Sequence, residues 1–224
     1  DKYDYSIIEC LLAGGTEIAF PDYTNFNGFR AWPVVEIKNT AFRNIRFTGD
    51  FKMNNLEVVN MSEFLYSIFD GFFEGVKIKK ILDNAFFYSN FIGELNLPAC
   101  EQIGVAAFQN SHFSGSLNLP VCVEIKYNGF SYSHFSGSLD LPMCTAIGSA
   151  AFTNSNFSGA LSLPVCVEIR DLAFQNSLFN GEVNLPVCTY IGGYTFENSN
   201  FSGSLSLPVC TYVGYAAFFN SNFS

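Results

Sequence analysis

The chain has 224 residues, of which 49% are hydrophobic, 17% aromatic and only 14% charged. Such a composition supports a packed core and excludes a disordered chain. The net charge of -9 argues against a nucleic-acid backbone as partner, and no run approaches the roughly 18 consecutive apolar residues of a membrane-crossing helix.

The chain opens DKYDYSIIEC, without the basic n-region and apolar run of a leader. Residues 1–28 break the pattern that follows and carry Asp1, Lys2, Asp4, Glu9 and Glu17. They read as a cap-like segment holding a first degenerate coil. A fixed period of 22 residues then takes over, marked by Phe20, Phe42, Phe64, Phe86, Phe108, Phe130, Phe152, Phe174, Phe196 and Phe218. A second phenylalanine follows five residues after each of these from Phe47 to Phe223. Residues 29–90 are degenerate, charged copies. Residues 91–224 are near-perfect copies, punctuated by Leu97-Pro98, Leu119-Pro120, Leu141-Pro142, Leu163-Pro164, Leu185-Pro186 and Leu207-Pro208. All three stretches read as one continuous solenoid domain.

A constant period with a constant apolar pattern means stacked coils, because one coil cannot bury its own apolar face. In the coil Phe108 to Gly129, SLNLP alternates apolar and polar residues, with Leu117 and Leu119 on one face, and reads as a short strand. VCVEI reads as a second short strand after a bend at Pro120, with Cys122 and Ile125 pointing inward. AFQNS, Ala107 to Ser111, reads as a turn. Nothing keeps a helical period over three turns. The expectation is a mainly β solenoid with short parallel strands and little helix. About ten coils at about 4.8 Å each would span roughly 50 Å.

The run Leu117-x-Leu119-x-x-Cys122-x-x-Ile125 resembles the cysteine form of the leucine-rich-repeat core. LP, then IG, then AF, as in LPACEQIGVAAF (Leu97 to Phe108) and LPMCTAIGSAAF (Leu141 to Phe152), is similar to the BspA-like leucine-rich repeats of bacterial and protist surface proteins. The resemblance covers residues 20–224. It implies a right-handed solenoid, an extracellular or surface location and binding roles such as adhesion, and it carries over no catalytic residue. The chain departs from the pattern in its strict 22-residue period, its second phenylalanine row, and its first coils, where Trp32, Asn54 and Val76 hold the place of Pro98.

Cys100, Cys122, Cys144, Cys166, Cys188 and Cys210 share one phase, whereas Cys10 does not. Metal or disulfide chemistry is weighed against packing by the degenerate coils, where the same phase holds Leu12, Val34, Leu56 and Ile78. A position that accepts these residues is a buried apolar slot, and free cysteine behaves as a small hydrophobe. The column is therefore structural, and it also lacks the convergent geometry of a tetrahedral zinc site.

His112 and His134 are 22 apart and would stack on adjacent coils as a metal pair. The next residues of that phase are Asn156, Leu178 and Asn200, so the position reads as a variable turn site and no metal or other cofactor is assigned. Lys77, Lys79 and Lys80 read as the solvated face of one coil. Asp140, Glu182 and Glu197 sit on different phases and form no acid–base pair. No nucleophile elbow, P-loop or dinucleotide fingerprint occurs, so an enzyme is not expected. Asn60, Asn156, Asn200 and Asn222 lie in N-x-S sequons, which matter in a eukaryotic secretory setting.

Two functions remain. The first is a binding module of the cell surface or extracellular space. Its candidate face is the outward row Asn96, Asn118, Asp140, Ser162, Asn184 and Ser206, with the adjoining row Glu94, Ser116, Ser138, Ala160, Glu182 and Ser204. These amides and hydroxyls suit a glycan or a polar host or matrix protein surface. The second is a structural spacer or rod that stacks end to end. The sequence stops at Ala216 to Ser224, midway through a coil, without a divergent capping segment. Terminal repeats need a polar outer face, so the expectation is either a piece of a longer array or an edge that docks another copy.

Overall fold

The computed structural model describes residues 10–12, 17–18, 34–37, 42–47, 50–53, 55–114, 117–136, 139–157, 161–179, 182–201 and 203–223. Two phenylalanine and two leucine positions per coil decide the architecture, because each must be covered by the coils on either side. No helix occurs among the described residues, and the strands stack into parallel ladders at the 22-residue spacing. Each coil contributes three strands of two residues. In one near-perfect coil they are Asn156–Phe157, Leu161–Ser162 and Glu168–Ile169.

The phenylalanine strands form a nine-stranded parallel sheet running from Arg46–Phe47 to Asn222–Phe223. The isoleucine strands form an eight-stranded sheet from Val58–Val59 to Tyr212–Val213. The leucine strands are divided into two four-stranded sheets, Phe51–Lys52 to Leu117–Asn118 and Leu139–Asp140 to Leu205–Ser206. The leucine and isoleucine strands lie where the sequence places them. The phenylalanine strand occupies a stretch after AFQNS in which the sequence reading expected no strand.

Strands β1 (Cys10–Leu12), β2 (Glu17–Ile18) and β3 (Val34–Ile37) form a separate antiparallel sheet in the order β2-β1-β3. Leu12 and Val34, one period apart, do pair, but antiparallel and beside a register shift. The first coil expected from the phase of Cys100 is therefore not a parallel coil. Phe20, the first residue of the phenylalanine phase, lies outside the described residues.

The core is a set of aromatic columns. Phe152 is fully buried and stacks on Phe130 at 5.4 Å and on Phe174 at 5.2 Å between ring centroids. It meets Phe157 of its own coil edge-on at 5.6 Å, and Phe157 stacks on Phe135 at 4.9 Å and on Phe179 at 5.2 Å. Both columns thus alternate the two arrangements that ring quadrupoles favour. They fix the coils in register, since a one-residue slip would turn every ring outward.

The AF turn does more than reverse the chain. In turn 105–110, Ala106 and Asn110 adopt positive φ of 51° and 58°. Their amides, with that of Phe108, donate to Tyr127, Ser131 and Gly129 carbonyls of the following coil at 2.9, 2.9 and 2.8 Å. The turns therefore stack as a fourth row beside the three rows of strands. Asparagine tolerates this backbone, whereas Leu172 at φ 62° and Tyr194 at φ 55° gain nothing locally from it. The glycine of IG has a different reason: a Cβ on Gly148 would sit 2.7 Å from the Lys126 carbonyl carbon of the coil below.

Candidate functional site

Three longitudinal rows carry the chemistry. The first is the cysteine corner. Pro–Val turns such as Pro164–Val165 end the leucine strand and direct the next side chain inward. Cys100, Cys122, Cys144, Cys166 and Cys188 are buried and free, and Cys210 is half-buried. Leu56 and Ile78, fully buried on the same row, show that the slot is apolar. The thiols also make a contact that the sequence reading missed. Each donates weakly to the carbonyl two residues on, as Cys166 Sγ does to Glu168 at 3.5 Å and Cys122 Sγ to Glu124 at 3.5 Å. Burial pushes the Cys122 and Cys166 thiols up to about 12 and Cys188 up to about 11. Cys100 and Cys144 are raised for the same reason. Thiols held protonated are poor nucleophiles and poor metal ligands.

The second row is the outer face of the leucine strands. Asn118, Asp140, Ser162, Asn184 and Ser206 are exposed on it and Asn96 is half-buried. Beside them Glu94, Glu182 and Ser204 are exposed, while Ser116, Ser138 and Ala160 lie outside the described residues. The Asn118 amide donates to Asn96 Oδ1 at 2.9 Å. Toward the N-terminus the row turns ionic, with Lys52 Nζ 3.5 Å from Glu74. The division between the two leucine sheets falls between Asn118 and Asp140, so the polar row is two aligned segments.

The third row is the outer face of the phenylalanine strands. His112 and His134 stand here, directly paired on neighbouring strands, and not on a turn as the sequence reading had it. Their rings stack with centroids 4.9 Å apart. Asn156 and Asn200, from the sequons, are exposed on the same row, whereas Asn60 is half-buried with its amide on Glu63 at 2.9 Å.

The remaining candidates are surface features. Lys77, Lys79 and Lys80 are exposed, with Lys79 on Glu57 at 3.0 Å and Lys77 on Asn55 at 3.2 Å. Exposed ion pairs of this kind stabilise little. Among the described residues, no group of three or more His, Cys, Asp or Glu is arranged to hold a metal ion. No helix among them is long and apolar enough to cross a membrane.

Short parallel strands, a single period and an inward Leu-x-Leu…Cys…Ile set define a β-solenoid repeat protein of the leucine-rich-repeat class. The BspA-type leucine-rich repeat region, a family model of six copies, matches residues 79–202 and 123–224. The chain belongs to this family. Searches of curated proteins and of solved structures returned no match.

Proposed function

We propose that this chain is a non-enzymatic binding module of a surface or secreted protein, which engages a glycan or a polar host or matrix protein through the outer face of its leucine strands. One observation carries the reading. The exposed residues Asp140, Ser162, Asn184 and Ser206 repeat hydrogen-bonding groups on consecutive, register-locked strands, with Asn118 aligned in the preceding segment. Repeat solenoids present extended surfaces of this type for recognition. Protein hot spots favour Trp, Tyr and Arg, and this row has none, so a glycan or another polar surface suits it best. The acidic balance argues against nucleic acid. The winding is taken as right-handed, the usual hand of crossovers between parallel strands, in an array of about nine parallel coils.

A screen of the chain against immobilised glycans and matrix proteins tests this. The triple variant Asn118→Trp, Asp140→Trp, Ser162→Trp is expected to lose whatever the native chain retains, with melting almost unchanged. Equal retention by both would move the site to another row.

A second reading, a self-associating structural rod, is favoured by the corner outside the cysteine column. Val121, Val123, Met143, Val165, Val167, Val187 and Val209 are all exposed there, and contiguous apolar rows mark association surfaces. Sedimentation over a concentration series separates the readings: open-ended growth supports the rod, and a monomer throughout supports the module.

A further inference from the structure

We propose that His112 and His134 form a site for a divalent first-row transition-metal ion, Zn2+, Ni2+ or Cu2+, on the outer face of the phenylalanine strands. They are the chain's two histidines. They pair directly between adjacent parallel strands, and both are exposed. Their rings lie 4.9 Å apart and 7° from parallel. The backbone of neighbouring strands fixes the separation of the two side-chain origins at about 4.8 Å.

A metal–nitrogen bond of about 2.0–2.1 Å at a tetrahedral angle places two ligating nitrogens roughly 3.3 Å apart. The ligating lone pairs lie in the ring planes, so the rings reach that only by each turning roughly 50° out of the stack until the lone pairs converge, a torsional change open to exposed side chains. A third ligand stands in the next coil. The Asn156 side-chain amide lies 3.4 Å from His134 Nδ1. The two ends of an amide exchange by a flip, which turns its carbonyl oxygen toward the pair. Water completes the set. Imidazole with an amide oxygen suits borderline divalent ions, not Ca2+ or Mg2+.

The alternation of this row with Asn and Leu, which made it look like a variable turn, carries no weight once the position is a strand position. Along the ladder the pair is flanked by Asn90 and Asn156. An ion held by two coils would tie metal binding to coil stacking, because ligation binds only the stacked state.

The test is titration of the untagged chain with NiCl2 or ZnCl2, followed by calorimetry and thermal melting. One ion per chain and a raised melting temperature are expected. His112→Asn and His134→Asn each reproduce the residue found elsewhere on the row, and each is expected to weaken binding at least about tenfold. Trace Cu2+ gives a readout that needs no variant: the Hε1 proton resonances of both histidines should broaden together. Absence of binding up to about 1 mM metal, unchanged affinity in either variant, or broadening of one ring or neither overturns the site.

Discussion

The hydroxyl of Ser155 donates to the main-chain carbonyl of Phe130, 2.8 Å away in the preceding coil. The same oxygen accepts from the Ser133 amide at 3.3 Å, and the Ser155 amide points at Ser177 Oγ at 3.4 Å. The arrangement repeats: Ser111 donates to Phe86 at 2.9 Å, Ser177 to Phe152 at 2.8 Å and Ser199 to Phe174 at 2.7 Å. Fully buried serines thus bolt each coil to the one before it, immediately beside the phenylalanine column.

Replacing Ser155 by Ala removes the bond between coils and leaves the Phe130 carbonyl and the Ser133 amide with only their 3.2 Å bond to each other. The expected loss is about 0.5–1.5 kcal/mol, read as a lower urea midpoint at unchanged m-value. An unshifted midpoint would show that the ladder contributes nothing to stacking.

The period and the inward leucine, cysteine and isoleucine positions were legible because large apolar residues recur at one phase. The exchange of Cys166 with Leu56 and Ile78 was enough to identify a packing slot. The serine bolt was not legible, because a serine after Asn reads as a solvated turn residue, and only the structure shows Ser155 buried. The strand Asn156–Phe157 was hidden for a related reason: two residues are too few to display alternation. The positive φ of Ala150 at 53° and Leu172 at 62° left no trace, since neither residue is glycine or asparagine. For the candidate sites, the polar leucine row was readable from alternation alone. The juxtaposition of His112 with His134 was readable too, but its placement on a strand was not.

Phe152→Ala opens a cavity between two stacked rings and removes one edge-on contact. It should cost about 3–5 kcal/mol, measured by equilibrium denaturation, whereas Phe152→Leu keeps most of the volume and should cost about 1–2 kcal/mol. Equal, small effects of both would place the ring outside the core.

The thiol column predicts alkaline destabilisation. The folded thiols titrate above the unfolded value, Cys122 and Cys166 at about 12 and Cys188 at about 11 against 9.0. Above pH 9 the unfolded chain has lost protons that the folded chain keeps, so unfolding is favoured as pH rises. The stabilisation is complete below the unfolded pKa and fades between pH 9 and the folded values. Urea midpoints at pH 8 and pH 10.5 should differ more in the native chain than in a Cys122→Val, Cys166→Val, Cys188→Val variant. Identical pH dependence would mean that the thiols are not buried. Thiol reagents at pH 8 should label the five buried cysteines only after denaturation.

Register-locked stacking underlies the core, the serine bolts, the polar face and the histidine pair alike. The most direct measurement of it is electron–electron dipolar spectroscopy between nitroxides carried by ketone amino acids at positions 96, 184 and 206. Asn96 and Asn184 are four periods apart, and Asn96 and Ser206 five. At a coil spacing of about 4.8 Å the two pairs of positions stand about 19 Å and about 24 Å apart along the stack. The account predicts two narrow distributions whose centres differ by about 5 Å. Broad distributions, or centres that do not increase with the number of intervening coils, would contradict it.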